Sequence, residues 1–272
     1  MDILLLLLII GFLVGILGTM IGAGGGFILV PVLLLLFPDK TPEEITSISL
    51  AVVFFNAVSG TLAYHKMKRI DYRSGLLFAA STIPGSILGS IVVGYISRDI
   101  FNILFGSLLI LLATYLIFKP ENKKTKETSI PATHTICKIT DSDCKEYIYG
   151  YNRYLGMLLS LVVGFVSSLL GIGGGIIHVP IMVQILNFPV HLATATSHFV
   201  LSIMSFTGSV VHFINGTLTE SILQILILAA GAIIGAQIGA RLSTRLHGNM
   251  IIRLLAVALA LVGVRILFMA FF

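Results

Sequence analysis

One glycine-rich stretch occurs twice in this chain. Gly22-Ala23-Gly24-Gly25-Gly26-Phe27-Ile28-Leu29-Val30-Pro31 returns as Gly171-Ile172-Gly173-Gly174-Gly175-Ile176-Ile177-His178-Val179-Pro180. Gly26 to Gly175 and Pro31 to Pro180 are both shifts of 149 residues, and Gly15 and Gly164 share that shift. Glycine has the most backbone entropy to lose, so a glycine cluster inside an apolar run breaks a helix. Two such breaks at matching places predict a membrane chain built from an internal repeat, the arrangement of many secondary transporters.

The membrane reading follows from composition. Hydrophobic residues make up 57% of the chain and charged residues 11%, where a soluble domain carries roughly 25% charged. The apolar runs are long enough to cross a bilayer as helix, and none shows the period-two alternation of a membrane barrel. The expected fold class is therefore an all-α polytopic membrane protein. The net charge is +5. Its basic residues sit between apolar segments, where they set orientation, and no aromatic-basic interleaving points to nucleic acid. Met1-Asp2 lacks the positive n-region of a signal peptide, so the start reads as the first membrane segment. Cys137 and Cys144 lie in the only long polar stretch. A disulfide or half of a zinc site is open there, but idle thiols in a reducing cytoplasm outweigh both.

Apolar segments run over about 3–21, 26–37, 45–64, 75–97 and 100–118, then 154–170, 175–187, 191–213, 221–245 and 250–271. Ser59-Gly60 and Tyr64 align with Thr207-Gly208 and His212 at a shift of 148, and Gly85 and Gly89 with Gly231 and Gly235 at 146. The expected organisation is an N-terminal transmembrane repeat (1–118), a linker or insertion (119–153) and a C-terminal transmembrane repeat (154–272). Each repeat holds about five helical segments, the first pair broken at its Gly-x-Gly-Gly-Gly motif. Within the insertion Lys119 to Lys126 is charged. Thr135 to Thr140 and Lys145 to Tyr149 read as two short strands about an Asp141-Ser142-Asp143 turn, a hairpin or a disordered loop.

The loop His65 to Arg73 is rich in basic residues, whereas its counterpart Asn215 to Glu220 has none; Arg241, Arg245 and Arg253 come one loop later. A loop basic in one half and bare in the other predicts inverted-topology repeats, with the insertion cytoplasmic. Three full helices plus an even pair around the glycines would then make each half. That pair could be a full hairpin or a re-entrant one.

A helix that starts at each glycine cluster would present unpaired N–H groups and about half a positive charge to an anion. Close helix packing is the competing reading of the same glycines. The candidate substrate-binding residues are Gly24, Gly25, Gly26 and Phe27 in the first motif and Gly173, Gly174, Gly175 and Ile176 in the second, with Pro31 and Pro180 as structural members. Asn56, Thr196, Ser197 and His198 would complete the site. Small hydroxyls can donate to an oxyanion or bond back to their own helix. His198 is an ionisable group within a span and a candidate proton carrier, or a neutral hydrogen-bond donor. His191 reads as a loop residue. No metal site, cofactor, Walker-type sequence or activated nucleophile is legible, so an enzyme is not expected.

These residues resemble the TauE/SafE family of membrane permeases, also called the sulfite exporter or 4-toluene sulfonate uptake permease family. The likeness rests on Gly22 to Pro31, Gly171 to Pro180, Ala195 to Phe199 and Ile83 to Gly89. It covers nearly the whole chain, including the Ile136 to Tyr151 insertion. It implies secondary transport of a small anion across the cytoplasmic membrane, typically a sulfur oxyanion such as sulfite, a sulfonate or sulfoacetate; protons, carried on His198 or on the substrate, are a candidate coupling ion. A passive anion channel and a membrane sensor or scaffold are the alternatives. The lipid bilayer is an implied partner, and a homodimer is compatible with the sequence. Leu29 stands opposite His178, and Ser49-Leu50 opposite Ser197-His198, which counts against a symmetric two-histidine mechanism.

Overall fold

The computed structural model describes residues 3–118, 135–245 and 248–271. The charged stretch Lys119 to Lys126 lies outside the described residues. Ten α-helices and one β-hairpin are present among them: α1 Ile3–Ile21, α2 Gly26–Leu36, α3 Pro42–Lys66, α4 Tyr72–Val92, α5 Arg98–Phe118, β1 Thr135–Thr140, β2 Glu146–Tyr151, α6 Arg153–Leu169, α7 Gly175–Gln184, α8 Val190–Ile214, α9 Ile222–Ser243 and α10 Gly248–Phe271. Six of the described helices are long and apolar enough to cross a membrane. The protein is an all-α polytopic membrane protein.

The glycine pattern has two separate causes. Gly22, Gly24 and Gly25 adopt φ of 83°, 75° and 85°, and Gly171, Gly173 and Gly174 adopt 67°, 80° and 84°. Each of these is a left-handed position that side chains disfavour. Ala23 and Ile172 lie between them at negative φ, which is why a side chain is tolerated there. Gly26 and Gly175 have ordinary φ and are glycine for closeness. A side chain on Gly26 would strike the Gly171 and Ile172 carbonyls, and one on Gly175 the Gly22 carbonyl and Ala23. The two motifs therefore meet tip to tip.

The helices that leave the tips are short. With 11 residues in α2 and 10 in α7, each spans about 15–16 Å, half of the roughly 30 Å hydrocarbon core. Pro31 and Pro180 are the sixth residues of these helices, one turn deeper than the first-turn place that proline favours. Each ring removes a hydrogen bond to the carbonyl four residues back, Phe27 or Ile176.

Helix directions follow from which residues touch. Gly11 packs on Leu228 and Gly15 on Ala232, so α1 and α9 run parallel. Gly85 on Leu161 and Gly89 on Phe165 make α4 and α6 parallel in the same way. Small residues let these helices approach backbone to backbone. Gly60 lies against His198 and Gly208 against Leu50, so α3 and α8 cross antiparallel near their middles. α3 opens with a reciprocal cap, in which Thr41 N–H donates to Glu44 Oε2 (2.7 Å) and Glu44 N–H to Thr41 Oγ1 (3.3 Å). α8 begins after Pro189 without a side-chain cap. His191 falls in its first turn rather than in a loop, because the restricted φ of Pro189 starts the helix.

Both ends of the bundle are tied together. Tyr64 Oη lies 3.2 Å from Ser243 Oγ, which brings the C-terminal ends of α3 and α9 to one side. Lys66, Lys68, Arg73, Arg241 and Arg245 gather there. At the opposite end Lys40 donates to Ser221 (3.0 Å) and Glu43 faces His212 (3.9 Å). Lys68 and Asn215 thus lie at opposite ends.

The hairpin sits on the basic end. Its second strand begins one residue later and ends two later than the alternation predicts, Glu146–Tyr151. Cys137, Tyr147, Tyr149 and Tyr151 face inward and are buried. Tyr149 packs on Phe188 at 4.5 Å and donates to Asp71 (2.6 Å), while Tyr151 donates to Ser74 (2.7 Å). An isolated hairpin is marginal in water, and this docking supplies what it lacks. Arg69 bridges Asp141 (3.3 Å) and Asp143 (3.1 Å). Burial alone would raise the Asp141 carboxyl, but the N–H groups of Lys145 and Asp143 and the Arg69 guanidinium outweigh it and hold it below its ordinary value. Burial, reinforced by the Asp71 carboxylate, pushes the Cys137 thiol up. Cys144 is exposed, and both cysteines are free thiols.

Candidate functional site

The two tips are enclosed: Gly22 to Gly26 and Gly171 to Gly175 are all buried. Val53 of α3 touches the places where side chains on Gly24 and Gly173 would stand, so both tips sit at mid-helix depth. The first N–H groups that turn back are those of Ile28 and Leu29, both to Gly25 O (3.0 Å), and those of Ile177 (3.1 Å) and His178 (2.8 Å) to Gly174 O. The N–H groups of Gly26, Phe27, Gly175 and Ile176 form no hydrogen bond among the described residues. Those of Gly25, Gly173 and Gly174 likewise form none among the described residues. Such unpaired donors at two facing helix N-termini are costly in a membrane interior and attractive to an anion.

The carbonyls of the tips are better served. Ser49 donates to Gly171 O (2.6 Å) and Ser197 to Gly22 O (3.4 Å), one serine from each central helix on the other half's tip. Asn56 Nδ2 donates to Gly24 O (2.9 Å), and Thr19 Oγ1 to Asn56 Oδ1 (3.1 Å). His198 Nε2 lies 3.2 Å from the same Thr19 oxygen. Tyr64 donates to Thr19 O (2.8 Å) and stands edge-on to the His198 ring at 5.6 Å.

This chain fixes proton positions. The Gly24 carbonyl can only accept, so Asn56 turns its nitrogen there and its oxygen to Thr19. Thr19 must then donate to Asn56 and accept from His198. The proton on His198 is thereby assigned to Nε2, which leaves Nδ1 as the nitrogen able to take a second one.

The structure brings Asn56, Ser197 and His198 to the first tip. It places Thr196 elsewhere: its hydroxyl accepts from Asp71 N–H (3.0 Å) beneath the hairpin. His178 is buried beside Ser160 (3.1 Å) on the second short helix. Thr19, Tyr64 and Ser243 were missed by sequence reasoning, as were Ser86, Ser90, Ser167 and Ser168 near the second tip. The one available signal was that Thr19 and Ser168 occupy equivalent places at the motif's own shift of 149 residues.

The family model for the sulfite exporter TauE/SafE matches residues 7–266. The chain belongs to the TauE/SafE family. It is 34% identical to the probable membrane transporter protein YunE of Bacillus subtilis, over 98% of both chains. A probable membrane transporter protein of Methanocaldococcus jannaschii is 32% identical over 78% of this chain and 73% of its own. One from Haemophilus influenzae is 27% identical over 66% and 61%. No solved structure matches. Family and relatives make this TauE/SafE protein a multi-pass membrane transporter, set in a lipid bilayer and acting on a transported substrate.

Proposed function

We propose that the protein is a secondary transporter for a small anion, a sulfur oxyanion of the sulfite, sulfonate or sulfoacetate kind. The observation that carries this reading is the pair of half-length helices whose unpaired N–H ends face one another at mid-bundle. An anion at one of these helix ends would be met by backbone N–H groups, those of Gly26 and Phe27 or those of Gly175 and Ile176, with no cationic side chain required. The sulfite exporter name of the family supports the sulfur oxyanion. Ser197, Asn56 and His198 act by fixing the first tip.

Inverted topology is supported by the antiparallel crossing of the equivalent helices α3 and α8. The hairpins α1–α2 and α6–α7 then enter from opposite faces. The gathering of Lys66, Lys68, Arg73, Arg241 and Arg245 at one end supports a cytoplasmic placement of that end and of the β-hairpin, in the cytoplasmic membrane. Coupling to protons runs through His198, whose Nδ1 takes the second proton and whose charge then favours the anion's presence.

Reconstituted protein should accumulate sulfite, sulfoacetate or 4-toluene sulfonate against its gradient when a proton gradient is imposed on liposomes. Purely downhill flux would make it a channel. Flux of none of the three would overturn the anion reading.

A further inference from the structure

We infer that the second tip, at the start of α7, is where the anion is held, with the Ser167 hydroxyl as its side-chain donor and Met204 as the group that moves aside. The inference rests on the anion reading above and locates the ligand within it.

The two tips share a backbone but differ in what surrounds it. At the first tip Gly18 lies directly against Gly25, backbone to backbone. The equivalent of Gly18, 149 residues on, is Ser167. Its side chain is fully buried, and its Oγ has no hydrogen-bond partner. That oxygen lies 3.3 Å from the place a side chain on Gly174, the N-cap residue of α7, would take. A hydroxyl and backbone N–H groups without acceptors thus belong to the same helix start.

Asn56 ties down the first tip through the Gly24 carbonyl. Its counterpart at a shift of 148 is Met204, whose Cε and Sδ lie 3.0 Å from the Gly174 side-chain position. Methionine is unbranched and has several rotatable bonds, so this thioether is the adaptable part of the closure. Behind it Ser86 and Ser168 share a hydrogen bond (2.7 Å), and Ser86 also donates to Met204 O (3.0 Å). Ser90 Oγ is a further buried hydroxyl without a partner. The first tip is closed by committed polar bonds, whereas the second is closed by a movable apolar side chain over free donors. An oxyanion, which only accepts hydrogen bonds, fits the second.

The test measures uptake of radiolabelled sulfite by liposomes carrying the wild type, Ser167→Ala, Ser167→Thr or Ser81→Ala. Ser81 is a serine of α4 bonded to its own helix at Leu77 O. Ser167→Ala should raise KM roughly tenfold, the loss expected for one hydrogen bond to a charged group, with kcat retained. Ser167→Thr should restore it, and Ser81→Ala should match the wild type. An unchanged KM in Ser167→Ala, or a fall in kcat alone, overturns the placement and leaves the anion reading standing. A wild type that moves no sulfite while moving sulfoacetate transfers the same assay to sulfoacetate. One that moves neither of these nor 4-toluene sulfonate overturns both.

Discussion

The glycine tips have matching backbones and opposite surroundings. Three left-handed glycines and one close-packed glycine recur at each, yet the first tip is held by Asn56, Thr19, Tyr64 and His198 and the second by Met204 and serines. The two tips thus share the geometry that a broken helix demands while their side chains differ. The divergence suits a division of labour, in which the first tip is a fixed abutment and the second the adaptable end.

The largest effects should come from the glycines themselves. A side chain on Gly25 would meet the Val14 carbonyl oxygen at 2.8 Å, whereas one on Gly174 meets the flexible Met204 at 3.0 Å. Both would also bear the left-handed penalty of about 1–2 kcal/mol. Gly25→Leu should therefore yield little folded protein. Gly174→Leu should fold and lose transport, as read by protein level and sulfite flux side by side. Normal transport in Gly174→Leu would break the comparison and the site with it.

Next comes the pair that differs most between the tips. Asn56→Leu leaves the Gly24 carbonyl and Thr19 without their partner, at about 1–3 kcal/mol. Met204→Leu keeps shape and polarity and should cost less than about 1.5 kcal/mol. Thermal unfolding in detergent checks both, and equal losses would remove the distinction between fixed and movable tips.

His198→Gln sharpens the comparison in another way. It should abolish the dependence of sulfite accumulation on the proton gradient while leaving downhill exchange in place. A variant that keeps uphill transport with the wild-type pH profile would show that His198 does not carry the proton.

The smallest effect concerns the central helices that pack against the tips. Thr41→Ala removes the cap of α3 and should cost about 1 kcal/mol, a small drop in melting temperature. α8 has no side-chain cap to lose at Pro189, so Pro189→Ala should show no comparable cap loss.

Much of the fold was legible in residue order. The helix starts at Gly26 and Gly175 follow from glycine's conformational freedom, and the hairpin from alternation around Asp141. Less of the site was legible. Thr196 looked like a donor because it adjoins Ser197 and His198, but one residue along a helix is a turn of about 100°. That rotation carries its hydroxyl to Asp71. Tyr64 and Ser243 meet at a distance of 179 residues, and no local pattern announces such a pair.

Sequence by itself determined the membrane class and the two breaks. These are local matters: hydrophobicity decides the solvent, and φ decides glycine, one residue at a time. Tertiary structure decided that the broken helices are half-length, that their tips meet, and which side chains serve each. Those depend on how antiparallel α3 and α8 cross, and a crossing brings together residues whose separation along the chain carries no trace of their contact.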